Sequence, residues 1–235
     1  MIMFTYFLHF LYNNFMINIL KKLLDFIYEN NCYFCHSSKE NSIFCSKCYN
    51  SVDFFQSKPF KKINGVELYA VTYYKDVTQK LIRAVKYHNK KDLAFYQAKL
   101  MYEYWKTLDI AGENFLVMPV PMFYSKARKR KYNHMDLVCE EFCKLTGYDY
   151  DLKSLIRNRE TAPQYKLSSK ERKKNLKNAF SVTKTKLKQP ILLIDDISTT
   201  GTTIKEILKV FEEKGITNVT TLVTAVPETP SNYVY

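Results

Sequence analysis

Asp195 and Asp196 form a pair of adjacent carboxylates just before a turn that is rich in hydroxyl side chains. The residues of that turn are Ser198, Thr199, Thr200, Gly201, Thr202 and Thr203. Backbone N–H groups at the start of a helix, helped by threonine hydroxyls, bind phosphate groups. Paired carboxylates accept hydrogen bonds from vicinal hydroxyl groups, or hold Mg²⁺ directly or through water. The residue types and their order therefore predict a site for a phosphorylated sugar with magnesium.

Two other interpretations of the turn fit its residues less well. Helix capping would explain one hydroxyl group, but not a cluster of them behind two acids. A Walker phosphate loop requires a lysine after the glycine, whereas Thr202 follows Gly201. We therefore favour the phosphorylated sugar as the ligand of this stretch.

The elements that position these groups can be predicted from the same stretch. Residues 191–194 are apolar without alternation, which is typical of a parallel strand covered on both faces. Apolar side chains then recur at helical spacing, at Ile204, Ile207, Leu208 and Phe211. Open parallel sheets bind their ligands at the carboxyl ends of the strands, which is where the acids follow.

The rest of the chain from residue 66 also alternates between strand and helix patterns. We predict strands at residues 67–74 and 115–120, and helices at residues 77–87, at 93–105 and from about 135. The cations of the first helix, which we expect on its solvated face, are Lys80, Arg83 and Lys86. Cys139 and Cys143 lie on the helix that begins at about residue 135, and we expect their side chains in the core.

Four further cysteines have the spacing C-x₂-C-x₉-C-x₂-C, at Cys32, Cys35, Cys45 and Cys48. Each pair suits a knuckle that places two thiolates on one metal ion. Disulfides and an iron–sulfur site are the alternatives. Because Cys139 and Cys143 are unpaired by spacing, a reducing compartment is expected, which favours zinc and a cytoplasmic location.

Positive charge is concentrated in one part of the chain. The net charge is +13, and residues 123–188 carry 18 Lys or Arg against 7 Asp or Glu. The block comprises Lys126, Arg128, Lys129, Arg130 and Lys131, then Arg157, Arg159, Lys170, Arg172, Lys173 and Lys174. If the fold brings these residues together, they form one basic groove. Such a groove predicts sequence-independent binding of single-stranded DNA. The alternative is a basic surface that serves solubility or attracts a diphosphate.

The first residues of the chain match none of these patterns. Residues 1–15 are mostly apolar, but they lack a basic start and a small-residue cleavage site, and asparagines interrupt them before membrane-spanning length. No stable membrane insertion is expected, and Met16 is a candidate for the functional start. We predict an unmatched extension at 1–15, an amphipathic helix and zinc knuckle at 16–60, and the main domain at 61–235.

Several of these motifs together carry a resemblance to known families. The apolar run, the acid pair and Thr199-Thr200-Gly201 are similar to the phosphoribosyl pyrophosphate (PRPP) signature of type I phosphoribosyltransferases. In order, the other matching motifs are the cysteine knuckle, Pro119-Val120-Pro121, Arg128-x-Arg130 with Tyr132-Asn133, Arg157-x-Arg159-x-Thr161-x-x-Gln164 and Arg172-x-x-Asn175. This order resembles the ComF (ComFC) family of competence proteins. Where that family has Arg-Gly-Phe-Asn-Gln, this chain has Arg130-Lys131-Tyr132-Asn133-His134.

The resemblance implies a fold and a set of roles. The fold is α/β, with a type I phosphoribosyltransferase-like parallel sheet flanked by helices and a small N-terminal zinc knuckle. Residues 199–203 would hold the 5-phosphate, while Asp195 and Asp196 would hold the ribose hydroxyls and Mg²⁺. The leaving diphosphate would contact Arg128, Arg130 and Arg172.

Two functions are compatible with that fold. One is a PRPP-binding competence protein that binds single-stranded DNA and works with DNA-uptake and processing proteins. The other is an active phosphoribosyltransferase that transfers ribose 5-phosphate from PRPP to an unknown acceptor.

Overall fold

A computed structural model of the chain describes residues 31–123, 132–158, 176, 178–183 and 189–228. These residues divide into two compact units, the first ending at Asn50 and the second beginning at Ser51. Within the described ranges, no helix combines the length and the apolar character needed to cross a bilayer. The extension expected at 1–15, and Met16, lie outside these ranges.

The described part of the first unit is a pair of cysteine turns followed by the short helix α1 (Ser46–Asn50). Glu40 caps that helix, because its carboxylate accepts hydrogen bonds from the Ser46 amide at 2.7 Å and from the Ser46 hydroxyl at 2.6 Å. Phe34 and Phe44 are buried with their ring centroids 4.4 Å apart. Within residues 31–50, the described part of this unit, few apolar residues are buried, so a bound metal would supply much of the stability of this part.

The described part of the second unit contains eight strands. In chain order they are β1 (Lys61–Ile63), β2 (Val66–Tyr73), β3 (Leu116–Pro119), β4 (Asp149–Tyr150), β5 (Leu155–Arg157), β6 (Phe180–Val182), β7 (Ile191–Ile197) and β8 (Val219–Val226). One sheet has the order β1-β2-β8-β7-β3-β4, and β5 pairs with β6 separately. Only β1 is antiparallel to its neighbour in the larger sheet. The mostly parallel α/β sheet predicted from the sequence is confirmed.

Within the described ranges, four longer helices lie between the parallel strands. They are α2 (Asp76–Tyr87), α3 (Leu93–Trp105), α4 (His134–Thr146) and α5 (Thr202–Glu213), and a 3₁₀ turn spans Asp109–Gly112. The helix α3 begins and ends at the predicted residues. Cys139 and Cys143 lie buried on α4, as expected, and the pKa of Cys139 is raised by its hydrogen bond with Cys143 and by burial.

The core is organised around the central strand β7. Ile191 to Ile194 are fully buried or nearly so, which is what an unbroken apolar run on a doubly covered strand requires. Ile191 and Leu193 pack in one cluster with Ile207 and Phe211 of α5. The parallel neighbours β3 and β8 hold β7 in register, with Ile194 opposite Pro119 on one side and Leu222 on the other.

Candidate functional site

The acid pair lies within the carboxyl end of β7. We expected Asp195 and Asp196 to follow the strand, but β8 continues to Val226 and keeps β7 paired as far as Ile197 opposite Ala225. Successive strand residues point to opposite faces of a sheet, so the two carboxyl groups have different surroundings. Asp196 is buried, whereas Asp195 remains partly exposed.

The side chains of Lys86 and His134 converge on the carboxylate of Asp196. Lys86 Nζ donates to Asp196 Oδ2 at 2.6 Å, and His134 Nε2 lies 2.7 Å from the same oxygen. Lys86 is in the last turn of α2 and His134 is the first residue of α4. The expectation that Lys86 belongs to the solvated face of α2 is therefore wrong, since its side chain is only 23% exposed.

The residues before α4 explain how this cluster forms. The Tyr132 hydroxyl donates to the Val85 carbonyl at 2.6 Å, which ties the start of α4 to the end of α2. The Asn133 side chain then caps α4 by accepting from the Met135 amide at 3.3 Å. His134 and Lys86 are thus held on the same side of β7.

Opposite pKa shifts result for the two acids. Burial by itself would raise the pKa of Asp196, but Lys86 and His134 hold it well below its usual range. Burial, followed by the neighbouring charge of Asp196, raises the pKa of Asp195 to about 8. The pKa of Lys86 is raised despite its burial, because Asp196 faces it. Near neutral pH, the pair therefore carries about one negative charge.

This arrangement does not fit a magnesium ion held by both carboxylates. Asp196 Oδ2 already faces Lys86 and His134, and a divalent cation there would lie against an ammonium group. Asp195 Oδ1 accepts the Asp196 amide at 2.8 Å. Asp195 is consequently the acid that remains available to a ligand.

The hydroxyl-rich turn joins β7 to α5 as predicted. Gly201 has φ +76° and precedes the first residue of α5, so a glycine suits the backbone there. The hydroxyls of Thr200 and Thr202 lie 2.7 Å apart. Ser198 is buried, and its hydroxyl has no hydrogen-bond partner among the residues described. The first-turn N–H groups of α5 face a turn supplied with hydroxyls, as a phosphate site requires.

Arg157 is the one member of the basic block that the structure describes. Its guanidinium lies 5.5 Å from the centre of the Phe180 ring, and burial lowers its pKa while Asp195 opposes that shift. The others lie outside the described residues: Lys126, Arg128, Lys129, Arg130, Lys131, Arg159, Lys170, Arg172, Lys173 and Lys174. The diphosphate contacts and the DNA groove accordingly stay predictions.

The thiols of Cys32, Cys35, Cys45 and Cys48 form one cluster. Their sulfur atoms all lie within 4.8 Å of one another, and those of Cys35 and Cys45 are 3.6 Å apart. Tetrahedral zinc with Zn–S bonds of about 2.3 Å places its sulfurs about 3.8 Å apart, which agrees with this spacing. All four cysteines are free thiols, which counts against the disulfide alternative. The cluster could therefore hold zinc.

Comparison with known proteins adds sequence relatives. The chain is 29% identical to the DNA utilization protein YhgH of Salmonella typhi over 157 residues, 65% of this chain and 68% of that protein. It is 34% identical to Competence protein F of Haemophilus influenzae over 104 residues, 43% of this chain and 45% of that protein. The chain is a homologue of these competence and DNA utilization proteins. No family model matches it.

Weaker matches come from solved structures. The allosteric regulatory enzyme of purine biosynthesis has a TM-score of 0.36 at 21% identity, covering 77% of this chain but 30% of the enzyme. Adenine phosphoribosyl transferase from Trypanosoma brucei has a TM-score of 0.37 at 12% identity, covering 79% of this chain and 80% of the enzyme. At these values the likeness assigns no role to any residue.

Three residues near the acid pair and the turn were not predicted from the sequence. Lys86 had a signal, because it lies in the last turn of a helix that follows a strand of the parallel sheet. His134 also had one, because it directly follows the motif Tyr132-Asn133. Lys61 had no such signal in the sequence, because nothing in residues 61–63 indicates that β1 lies beside Gly201.

Proposed function

We propose that this chain is a competence and DNA utilization protein that binds a phosphoribosyl ligand, such as PRPP, at the carboxyl edge of its sheet. The observation that carries the proposal is the placement of Asp195 one short turn before the N-terminus of α5. That distance along the chain suits a ligand with hydroxyl groups at one end and a phosphate at the other. The names of the sequence relatives support the wider role.

Each part of the ligand would meet a different part of the site. Residues 199–203 and the first turn of α5 would hold the 5-phosphate through N–H groups and hydroxyls. Asp195 would hydrogen-bond the ribose hydroxyls, and Asp196 would stay fixed by Lys86 and His134. We assign the diphosphate to Arg128, Arg130 and Arg172. Any Mg²⁺ would arrive with the ligand and reach Asp195 alone, directly or through water.

Calorimetry with ribose 5-phosphate and PRPP, each with and without Mg²⁺, tests this assignment. We expect Asp195→Asn to weaken both ligands about tenfold, because hydrogen bonds to a charged or buried polar group contribute about 1.5 kcal/mol. Asp92→Asn is the matched control, since Asp92 is exposed and its side chain caps no helix. Equal affinity of wild type and Asp195→Asn for both ligands would contradict the proposed contact between Asp195 and the ribose hydroxyls.

Transfer of the phosphoribosyl group to an acceptor is a second proposal for the same site. Such a reaction proceeds by stabilising a positively charged ribosyl group and the departing diphosphate, so it needs positioned charges and no covalent nucleophile. Cys139 and Cys143, both buried on α4, are not required for it. Release of diphosphate from PRPP in the presence of an acceptor would support transfer, and PRPP binding without release would support a binding role.

We also propose one zinc ion at the cysteine cluster and single-stranded DNA at the basic block. The four sulfur atoms support the first. The second is supported by the concentration of charge in residues 123–188 and by the names of the relatives.

A further inference from the structure

The edge hairpin of the sheet brings a lysine to the hydroxyl-rich turn. A Cβ built on Gly201 would lie 2.6 Å from Ile63 Cδ1 and 3.8 Å from Lys61 Nζ. Lys61 and Ile63 share one face of β1 because strand side chains alternate. Lys62 points to the other face, where its side chain is 65% exposed and lies 3.7 Å from Glu67. The hairpin therefore places one ammonium group against the turn and another away from it.

The Lys61 ammonium is partly buried without a compensating charge. Throughout the described ranges it has no hydrogen-bond or ion-pair partner, in contrast to Lys62 and Lys86, which both face acids. Burial lowers the pKa of Lys61, and no acidic group opposes that shift. A desolvated cation with no counter-charge is unfavourable in the free protein and would be compensated by a bound anion.

Two features of the hydroxyl-rich turn also point to an anion. The helix α5 is 12 residues long and presents its N-terminal N–H groups beside Gly201. Ser198 is 4% exposed, and within the described residues its hydroxyl lacks a partner. A phosphate oxygen would supply an acceptor for the N–H groups, the hydroxyl and the ammonium together.

We propose that Lys61 binds the 5-phosphate of the ligand, so that the β1–β2 hairpin completes the phosphate site from the edge of the sheet. This inference rests on the proposed function, because it assumes a phosphoribosyl ligand at the turn. It adds a binding residue from a different element, about 140 residues before the turn in the sequence. Lys61 contributes a hydrogen bond and a charge, and it takes no part in bond breaking.

Calorimetry on Lys61→Met, Lys61→Gln and the matched control Lys62→Met tests the proposal with ribose 5-phosphate and PRPP. We expect both Lys61 variants to bind both ligands about tenfold more weakly, by the same factor, since the ligands share the 5-phosphate. Lys62→Met should bind like wild type. Without ligand, Lys61→Met should melt at or above the wild-type temperature, because it removes an uncompensated charge and keeps the apolar stem.

The outcomes separate this inference from the proposed function. Wild-type affinity in both Lys61 variants, with wild type binding the ligands, overturns the role of Lys61 and leaves the site intact. A greater loss for PRPP than for ribose 5-phosphate overturns the assignment to the 5-phosphate. If wild type binds neither ligand, the proposed function fails and this inference fails with it.

Discussion

At the acid pair, burial acts to raise the pKa of both carboxyl groups, but Lys86 and His134 reverse that shift at Asp196. Asp196 has Lys86 at 2.6 Å and His134 at 2.7 Å, so its charged form is stabilised. Among the described residues, Asp195 has no cation at such a distance, and burial together with the Asp196 charge raises its pKa to about 8. The protein thereby keeps one acid as a fixed anion and leaves the other suited to a ligand's hydroxyl groups.

These shifts predict opposite stability changes for two isosteric substitutions. Asp196→Asn should destabilise the protein by about 3 kcal/mol near pH 7, because it leaves the largely buried Lys86 ammonium without its partner. Asp195→Asn should stabilise it, because the charged carboxylate is disfavoured in the fold. Thermal unfolding of both variants at pH 7 checks this, and a lower melting temperature for Asp195→Asn would contradict it.

The dependence on pH follows from the same pKa values. Asp196 has a lowered folded pKa, so its stabilisation is present above about pH 4 and is lost as pH falls. Asp195 has a raised folded pKa, so the folded state holds its proton more tightly and stability is lost as pH rises from about 4 towards 8. The advantage of Asp195→Asn over wild type should therefore grow between pH 5 and pH 8 in a melting series.

Zinc binding is a second prediction about individual residues. Elemental analysis of the purified protein should find one zinc per chain, and Cys35→Ser or Cys48→Ser should lower that value. Cys139→Ala is the control, since Cys139 lies buried on α4 and outside the thiol cluster. Full zinc content in both serine variants, or no zinc in wild type, would contradict the prediction.

The sequence singles out the adjacent acids and the closely spaced cysteines, but not the basic side chains that the structure places around Asp196. Cysteines at short spacing and adjacent acids after an apolar run are local patterns. The Lys86–Asp196 contact spans 110 residues of sequence, and His134–Asp196 spans 62. Contacts at such separations depend on how α2 and α4 pack against the sheet, which no local pattern records.

Among the secondary-structure elements, the turn between β7 and α5 has the strictest requirements. Gly201 has a positive φ, and the space where a Cβ would lie is taken by Ile63 of β1. Gly215, just after α5, has a similar φ of +72° but nothing within 4 Å of a Cβ position. The two glycines thus share a backbone conformation and differ in their neighbours.

Alanine substitutions at Gly201 and Gly215 should distinguish two effects on stability, the strain of a positive φ and the steric contact with β1. Gly215→Ala should destabilise by about 1 kcal/mol from the left-handed backbone alone. Gly201→Ala should destabilise more and should also weaken ribose 5-phosphate, because Ile63 and the hairpin that carries Lys61 must shift. Chemical denaturation with calorimetry measures both effects. If Gly201→Ala and Gly215→Ala lose the same stability, and Gly201→Ala binds ribose 5-phosphate like wild type, the prediction is wrong. The β1–β2 hairpin would then accommodate the added methyl group without cost.

Element boundaries were predicted well where periodicity was strong. The helix α3 agrees at both ends, and the predicted strand at 67–74 is observed at Val66–Tyr73. The strand β7 continues to Ile197 because β8 pairs with it there, although acids are unusual inside a buried strand. The strand β1 has only three residues at a sheet edge and offered too little sequence for a period-two pattern.

At the scale of the whole molecule, the charge of the chain is divided unevenly. Residues 123–188 contain half of the 36 Lys and Arg residues, and the described part of the site combines cations with two acids. A DNA backbone is repelled by carboxylates but attracted by the basic block. DNA and the ribose 5-phosphate part of the ligand should therefore use different residues, whereas Arg128, Arg130 and Arg172 are proposed for both DNA and the diphosphate. Loss of DNA binding should leave ribose 5-phosphate binding measurable.

Single-stranded DNA binding is the prediction that belongs to this scale. The affinity should fall steeply with salt, because each neutralised phosphate releases counterions. Changing Arg128, Lys129, Arg130 and Lys131 together to Ala should lower the slope of log affinity against log salt by about 3, or about 0.7 for each phosphate that is no longer neutralised. Fluorescence anisotropy with labelled oligonucleotides of different sequence measures the slope.

The matched control removes the same charge from other parts of the chain, at the exposed residues Lys39, Lys47, Lys58 and Lys214. If net charge alone attracts DNA, both quadruple variants should lose affinity equally. If the basic block forms a groove, only its own variant should show the reduced slope, and its affinity for ribose 5-phosphate should stay at the wild-type value because the turn at 199–203 is unchanged. An unchanged slope in the block variant, or no DNA binding by wild type at low salt, rejects the groove.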